Sequence, residues 1–295
     1  MRYTFIVYRW DVNTIKHTSL WEGLVRLMIF YFSATGNSKW AAERLAAKTC
    51  DKVISIVDAL RGDASCEFAL KAGEKIGFVF PVHGWRVPSI VREFISKIKL
   101  QNYHESTYTY ALCTCGDSAG ETIKLLEGHL KEVHLHLNAS YTIIMPESYI
   151  GLPFMYLDKE LRECEKIRNA TIKLEKFSEW ISESRGGEHL DKGAFPKLYS
   201  GFLGGFFHNH LVTDKHFSVD KNKCNGCGKC ERICPVADIK CQDHPEWQNN
   251  GRCMTCYACL HHCPTNAISW GWFTSGKGQY VRKSSPSTSK GKDLI

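Results

Sequence analysis

The chain has no long apolar run. The longest uncharged stretch near its start, residues 27–38, is 12 residues, well short of the ~20 a helix needs to cross a bilayer, so no membrane span is expected. Asp11, Lys16 and Glu22 interrupt the first 25 residues, which leaves no apolar segment to serve as an export signal. Neither the full G-x-x-x-x-G-K-[ST] nor G-x-G-x-x-G occurs, which removes two phosphate-binding loops from consideration. No helix-turn-helix pattern or interleaving of aromatic and basic residues is present. A nucleic-acid partner is therefore not expected, even though the formal charge is +7. The cations are spread along the chain, apart from a Ser- and Lys-rich stretch at 282–292 that reads as a solvated tail.

What is present is a globular composition, 43% apolar and 23% charged over 295 residues, enough for one large or two ordinary domains. Cysteine is abundant, with 14 residues. Without an export signal the expected compartment is the reducing cytoplasm, where thiols stay free. Metal or redox chemistry is then the better use for so many cysteines.

From residue 27 onward, apolar runs alternate with helix-period segments. Strands are expected at 27–32, 53–57, 76–80, 107–113 and 141–145, and helices at 37–48, 89–98 and 121–133. Leu157, Leu161, Cys164, Ile167, Ala170, Leu174, Phe177 and Ile181 step by three and four, the signature of one long amphipathic helix. On that pattern Cys164 is a buried structural thiol, as is Cys113 at a strand end. Continuous apolar strands alternating with helices indicate an α/β fold with a doubly wound, five-stranded parallel sheet, whose ligand sits at the carboxyl ends of the strands.

Beyond residue 216 the cysteines form a ladder. Cys224, Cys227, Cys230 and Cys234 precede Pro235; Cys253, Cys256, Cys259 and Cys263 precede Pro264. Corresponding positions are offset by 29 residues, and Ile239 and Ile268 obey the same offset, so the segment is an internal duplication. C-x2-C-x2-C-x3-C-P lets three thiolates hold one iron–sulfur cube while the fourth serves the other. Cys224, Cys227, Cys230 and Cys263 are the expected ligands of one [4Fe–4S] cluster, and Cys253, Cys256, Cys259 and Cys234 those of a second. Structural zinc favours paired C-x2-C ligands from separate segments, a poorer match. The ladder resembles that of two-cluster bacterial ferredoxins, a small α+β fold.

After the first expected strand, Ser33, Ala34, Thr35, Gly36, Asn37 and Ser38 open a helix. Hydroxyls and backbone N–H groups at a helix N-terminus suit a phosphate, although the same residue types also suit an ordinary N-cap. The third strand ends in Phe80-Pro81-Val82-His83-Gly84-Trp85-Arg86-Val87-Pro88, and the fourth in Cys113-Thr114-Cys115-Gly116-Asp117-Ser118-Ala119-Gly120. Together the three loops resemble the FMN-binding loops of flavodoxins. The resemblance implies that Ser33, Thr35, Gly36, Asn37 and Ser38 bind the FMN phosphate. It further implies that Val82, His83, Gly84 and Trp85 line one side of the flavin ring, and that Cys115, Gly116 and Asp117 meet its pyrimidine edge. No clear second aromatic for the ring stands out, Tyr149 being the nearest candidate.

The whole pattern is similar to the flavodoxin–ferredoxin fusions of anaerobic bacteria and archaea. That resemblance covers residues 27–272 and implies a flavodoxin-like domain at 26–183, a connector at 184–216 and a ferredoxin domain at 217–282; an appendage expected at 1–25 and a disordered basic tail expected at 283–295 lie outside it. Phe202, Phe206 and Phe207 are too apolar for a free linker, so the connector is expected to pack between the domains. His208 and His210 are expected to be structural or exposed. The implied function is one-electron traffic between two [4Fe–4S] clusters and FMN, and on to partner redox proteins. A flavin-dependent reductase of a small acceptor and a redox-sensing module are the competing readings. His83 is the one candidate proton donor for the former, and no acid–base constellation surrounds it.

Overall fold

The computed structural model describes residues 26–47, 52–62 and 66–282. The appendage at 1–25, Cys50 and the tail at 283–295 lie outside the described residues. Strands β1 (Arg26–Tyr31), β2 (Lys52–Ser55), β4 (Glu74–Pro81), β6 (Thr109–Cys115), β7 (Ala139–Ile144) and β8 (Gly187–His189) form one parallel sheet in the order β2-β1-β4-β6-β7-β8. The first five positions reproduce the flavodoxin order. The sixth strand, absent from the sequence reading, comes from the expected connector. It has three exposed residues, too few to carry an apolar signal, and is held where His189 stacks on Tyr141 at 5.7 Å. A separate parallel pair joins β3 (Glu67–Ala69) and β5 (Lys99–Gln101).

Alternation along the strands divides the core. Leu27 and Ile29 of β1 face α1 (Asn37–Ala46) and α5 (Glu160–Ser182), packing with Trp40, Leu45, Leu174, Phe177 and Ile181. Met28 and Phe30 face the opposite side, where α3 (Ser89–Lys97) and α4 (Thr122–Glu132) supply Phe94, Ile95, Leu126 and Leu130. Full burial of each such side chain contributes roughly 1.5–3 kcal/mol, so both faces are committed to helices and the functional surface is left to the strand ends.

Two expectations are corrected. The strand expected at 53–57 ends at Ser55, because the Ser55 hydroxyl accepts the Asp58 N–H at 3.2 Å and caps α2 (Ile56–Arg61). The long helix is present, but it buries only its C-terminal half. Ala170, Leu174, Phe177 and Ile181 meet the sheet, while Leu161 is 88% exposed and Cys164 is exposed rather than buried. In its first turns Leu161 and Cys164 stand in solvent, so the apolar period there has nothing to pack on.

Residues 196–210 are helical throughout, as α6 (Pro196–Leu198), a π-helical turn (Tyr199–Leu203) and α7 (Gly204–His210). The C-terminal module pairs β9 (Phe217–Val219) with β12 (Ile268–Trp270) and β10 (Ile239–Cys241) with β11 (Pro245–Trp247), both antiparallel. Its short helices α8 (Lys229–Ile233) and α9 (Ala258–His261) start at residues 229 and 258, the 29-residue offset of the sequence. Val236, Met254, Tyr257, Leu260 and Trp270 belong to the same core cluster as Phe30 and Phe94, so the module is packed on the sheet domain.

Candidate cofactor sites

The structure sorts the eight ladder cysteines into two groups. Cys224, Cys227 and Cys230 line one cavity with Cys263 from the second repeat. Left-handed Gly226 and Gly228 (φ 68° and 65°) turn the loop around it, a conformation only glycine adopts freely. Cys241, outside both repeats, lines the same cavity. The second group is deeper. Burial, followed by the charges of Cys256, Cys253 and Cys234, pushes the Cys259 thiol up, which places Cys234 of the first repeat among the thiols of the second. Backbone N–H groups reach the sulfurs: Asp238 to Cys234 and Ala267 to Cys263, both at 3.3 Å, and Thr255 to Cys253 at 3.4 Å. Such bonds favour thiolate and tune a bound cluster. Among the described residues no three His, Cys, Asp or Glu side chains converge as ligands of a single metal ion; a cube spreads its four thiolates around a larger body.

The loop after β1 ends at Gly36, which takes φ 96° and begins α1 without any side-chain cap. Its own N–H donates to the Ser33 hydroxyl at 3.0 Å. The first N–H groups of α1 therefore lack the side-chain acceptor that Ser55 gives α2, as an anion-binding helix start requires. Ser38 and Thr114 share a 2.8 Å hydroxyl contact, and the Asn37 amide donates to the Pro146 carbonyl at 3.0 Å. Thr35, Asn37 and Ser38 are all buried. These contacts tie the loop to the ends of β6 and β7.

The loop after β4 is a tight turn in which His83 and Arg86 exchange two backbone hydrogen bonds of 3.1 Å. Val82 extends the sheet by donating its N–H to Thr114 at 2.9 Å. Gly84 and Trp85 take φ 54° and 57°. The Trp85 ring stacks on Tyr199 at 5.1 Å, and its indole N–H donates to Ser118 at 3.2 Å. Burial, followed by the charge of His208, pulls His83 down to about 4, so the imidazole is neutral at pH 7. At the end of β6, Cys115 is buried with its thiol on the Ile143 carbonyl, so the side chain turns into the sheet, and Asp117 is exposed. Gly116 packs against the Glu147 carboxylate so closely that any Cβ would collide with it. That carboxylate accepts the Ser148 and Tyr149 N–H groups at 3.0 and 2.8 Å, while Lys166 donates to the Gly116 carbonyl at 2.9 Å. The uncapped helix start suits an FMN phosphate, while the space beside Gly84 and Gly116 is taken by Phe207 and Glu147.

Several residues that complete this region carry no local sequence signal. Tyr257 sits between Cys256 and Ala258 in a left-handed conformation, and its ring lies 5.5 Å from that of Tyr149. His261 and His262 hydrogen-bond to the carbonyls of Ser148 and Ala34 at 2.7 and 3.1 Å. Phe207 packs on Gly84 and lies 5.4 Å from Tyr149, while Phe202 and Phe206 point outward. The connector thus packs on the flavin-type loops through one face only. His208 bonds the His83 carbonyl at 3.3 Å and His210 lies beside Phe206. Finally, residues 277–282 return across the first domain. Lys277 donates to the carbonyls of Ile150, Leu152 and Met155 at 3.1, 2.5 and 2.8 Å. The Tyr280 hydroxyl donates to Asn37 at 2.7 Å, and the Arg282 N–H to Thr35 at 2.7 Å.

Comparison with known proteins agrees with this geometry. A family model described as Flavodoxin domain matches residues 28–137, and one described as 4Fe-4S binding domain matches 216–239. Ferredoxin-3 of Nostoc sp. is 33% identical over 76 residues, covering 18% of this chain and 73% of that protein. An uncharacterized ferredoxin of Methanocaldococcus jannaschii is 37% identical over 60 residues, covering 17% of this chain and 70% of the relative. An uncharacterized protein of the same organism is 38% identical over 56 residues, 19% of this chain; the chain spans 21% of its length.

Proposed function

Because the chain belongs to the flavodoxin–ferredoxin fusion family, we propose that it passes low-potential electrons between two [4Fe–4S] clusters and FMN, and on to a partner redox protein. It is an electron-transfer protein of the iron–sulfur and flavin type, and no helix among its described residues is long and apolar enough to cross a membrane. A reducing cytoplasm is the compartment that suits its thiols. The domain division we adopt is 26–183 for the flavin part, 184–216 for the connector and 217–282 for the clusters.

When bound, the clusters supply one-electron steps and the flavin supplies storage of one or two electrons. The chain's residues position these groups. Cys224, Cys227, Cys230 and Cys263 hold the outer cluster; Cys253, Cys256, Cys259 and Cys234 hold the inner one. The helix start at Ser33, Thr35, Gly36, Asn37 and Ser38 holds the phosphate without a basic side chain. Val82, His83, Gly84 and Trp85 form one wall of the ring site, with neutral His83 withholding charge from it. Backbone at Cys115, Gly116 and Asp117 forms the edge, braced by Glu147 and Lys166.

The observation that carries the proposal is the docking of the second cysteine repeat on the strand-end loops. Tyr257, flanked by inner-cluster ligands, touches Tyr149, and His262 bonds the phosphate loop at Ala34. Two cofactor sites fixed this closely on one chain make exchange between them intramolecular. The test is anaerobic purification with iron, sulfide and flavin quantified. About eight irons and one FMN per chain are expected; zinc without flavin overturns the proposal.

A further inference from the structure

The outer cysteine loop is the part of the proposed electron path that faces solvent. Cys256 and Cys259 sit against Tyr257, whose ring is covered by Tyr149, and Cys259 is buried. The flavin-type loops are roofed by Tyr199 and Phe207 and strapped by residues 277–282. By contrast Cys227 is exposed, and every residue from 220 to 227 other than Cys224 is exposed.

The rim of this loop carries a surplus of cations. Lys221, Lys223, Lys229, Arg232 and Lys240 lie in or beside it, against Asp220, Glu231, Asp243 and Glu246, the last set opposite Lys240 in the β10–β11 pair. Lys223 pairs with Asp220 at 3.3 Å and Lys240 with Glu231 at 3.5 Å, exposed pairs that do little to fix their side chains. The Arg232 guanidinium donates to the Cys227 carbonyl at 3.0 Å, so a positive charge is anchored beside the exposed ligand. Lys221 and Lys229 make no ion pair among the described residues.

We infer that this basic rim is the docking surface for a small acidic one-electron carrier protein. The inference rests on the cluster assignment above and adds the face and the charge of the partner. The exchange balances simply: the reduced carrier loses one electron, the chain gains one, and no bond or proton moves. Complementary charge orients the encounter and raises its rate, with a marked salt dependence.

The test uses the full anaerobic holoprotein and an acidic [2Fe–2S] ferredoxin as probe. Binding of the oxidised probe is measured by titration calorimetry, and reduction by the reduced probe by stopped flow, over a range of salt. In Lys221→Glu/Lys223→Glu, affinity and second-order rate are expected to fall about tenfold at low salt, with the salt dependence flattened. Reduction by methyl viologen radical, a small cation, should not fall. The remote pair Lys124→Glu/Lys131→Glu on α4 imposes the same change in net charge and should leave carrier binding near wild type. Equal loss in both pairs, or unchanged binding in the rim variant, overturns the inference. Failure of the underlying cluster assignment is separately visible, as a wild-type protein without iron or sulfide.

Discussion

Single residues decide the flavin-type site where backbone comes closest to side chain. Gly116 leaves no room for a Cβ against Glu147. Gly116→Ala must push aside a carboxylate whose two N–H partners are fixed in the backbone, and leaving such groups unpaired costs about 1–3 kcal/mol. The expected result is a lower urea midpoint and a lower FMN-to-protein ratio than wild type, both read directly. His83 sets a pH dependence. Burial first, then His208, lowers its pKa from 6.5 to about 4, so between these values the unfolded chain binds a proton that the folded chain refuses. Stability is therefore full above about pH 6.5 and declines by about 1.4 kcal/mol per pH unit toward pH 4. His208 is lowered as well, by burial first, and adds a decline of the same sign. Urea midpoints across pH 4–7 should show a shallower slope in His83→Gln, and one shallower still when His208→Gln is added. An unchanged slope in the double variant would exclude this cause. The cysteine ladder was legible because its spacing is local chemistry. Glu147 was not, because its role depends on loops brought together by the sheet.

At the scale of elements, the central strands declared themselves through unbroken apolar runs, and the loops at their ends through clustered glycine and hydroxyl residues. Elements whose partners lie far off in sequence gave no such signal. Strand β8 has three exposed residues, and α5 shows one continuous period although only half of it meets a surface. The strap at 277–282 is the clearest case. Nothing in Lys277, Gln279 or Tyr280 as a string marks a return to residues 35–37, yet Gln279 bonds the carbonyls of Leu260 and Cys263 at 2.6 and 2.7 Å while Tyr280 bonds Asn37. One short segment thus grips the cluster module and the phosphate loop together, which links flavin retention to docking of the module. Tyr280→Phe removes a hydroxyl that spans the two, a loss of about 1 kcal/mol for a single hydrogen bond. The expected outcome is several-fold weaker FMN binding by fluorescence titration with iron content unchanged. Equal FMN affinity would mean that the strap only ties the module down.

At the scale of the whole molecule, the order of the cofactor sites follows from how the duplicated ladder is mounted. Each repeat sends its fourth cysteine to the other group: Cys263 lines the outer cavity and Cys234 sits with the inner thiols. The 29-residue duplication made this exchange legible from sequence, but not which group faces the flavin loops. That depends on Tyr257 and His262 meeting Tyr149 and Ala34, contacts with no counterpart in the first repeat, where Gly228 and Ile233 occupy the matching positions. The asymmetry separates two otherwise equivalent substitutions. Cys263→Ala should disturb the outer site alone, leaving inner-site iron and its Mössbauer signal. Cys234→Ala should disturb the inner site and so break the path toward the flavin while the outer site keeps its iron. With an external one-electron donor, flavin reduction should then be slowed far more in Cys234→Ala than bleaching of the remaining cluster absorbance. If both variants lose iron from the same site, the crossed assignment is wrong. If Cys234→Ala reduces its flavin at the wild-type rate, electrons reach the flavin by a route other than the Tyr257–Tyr149 face.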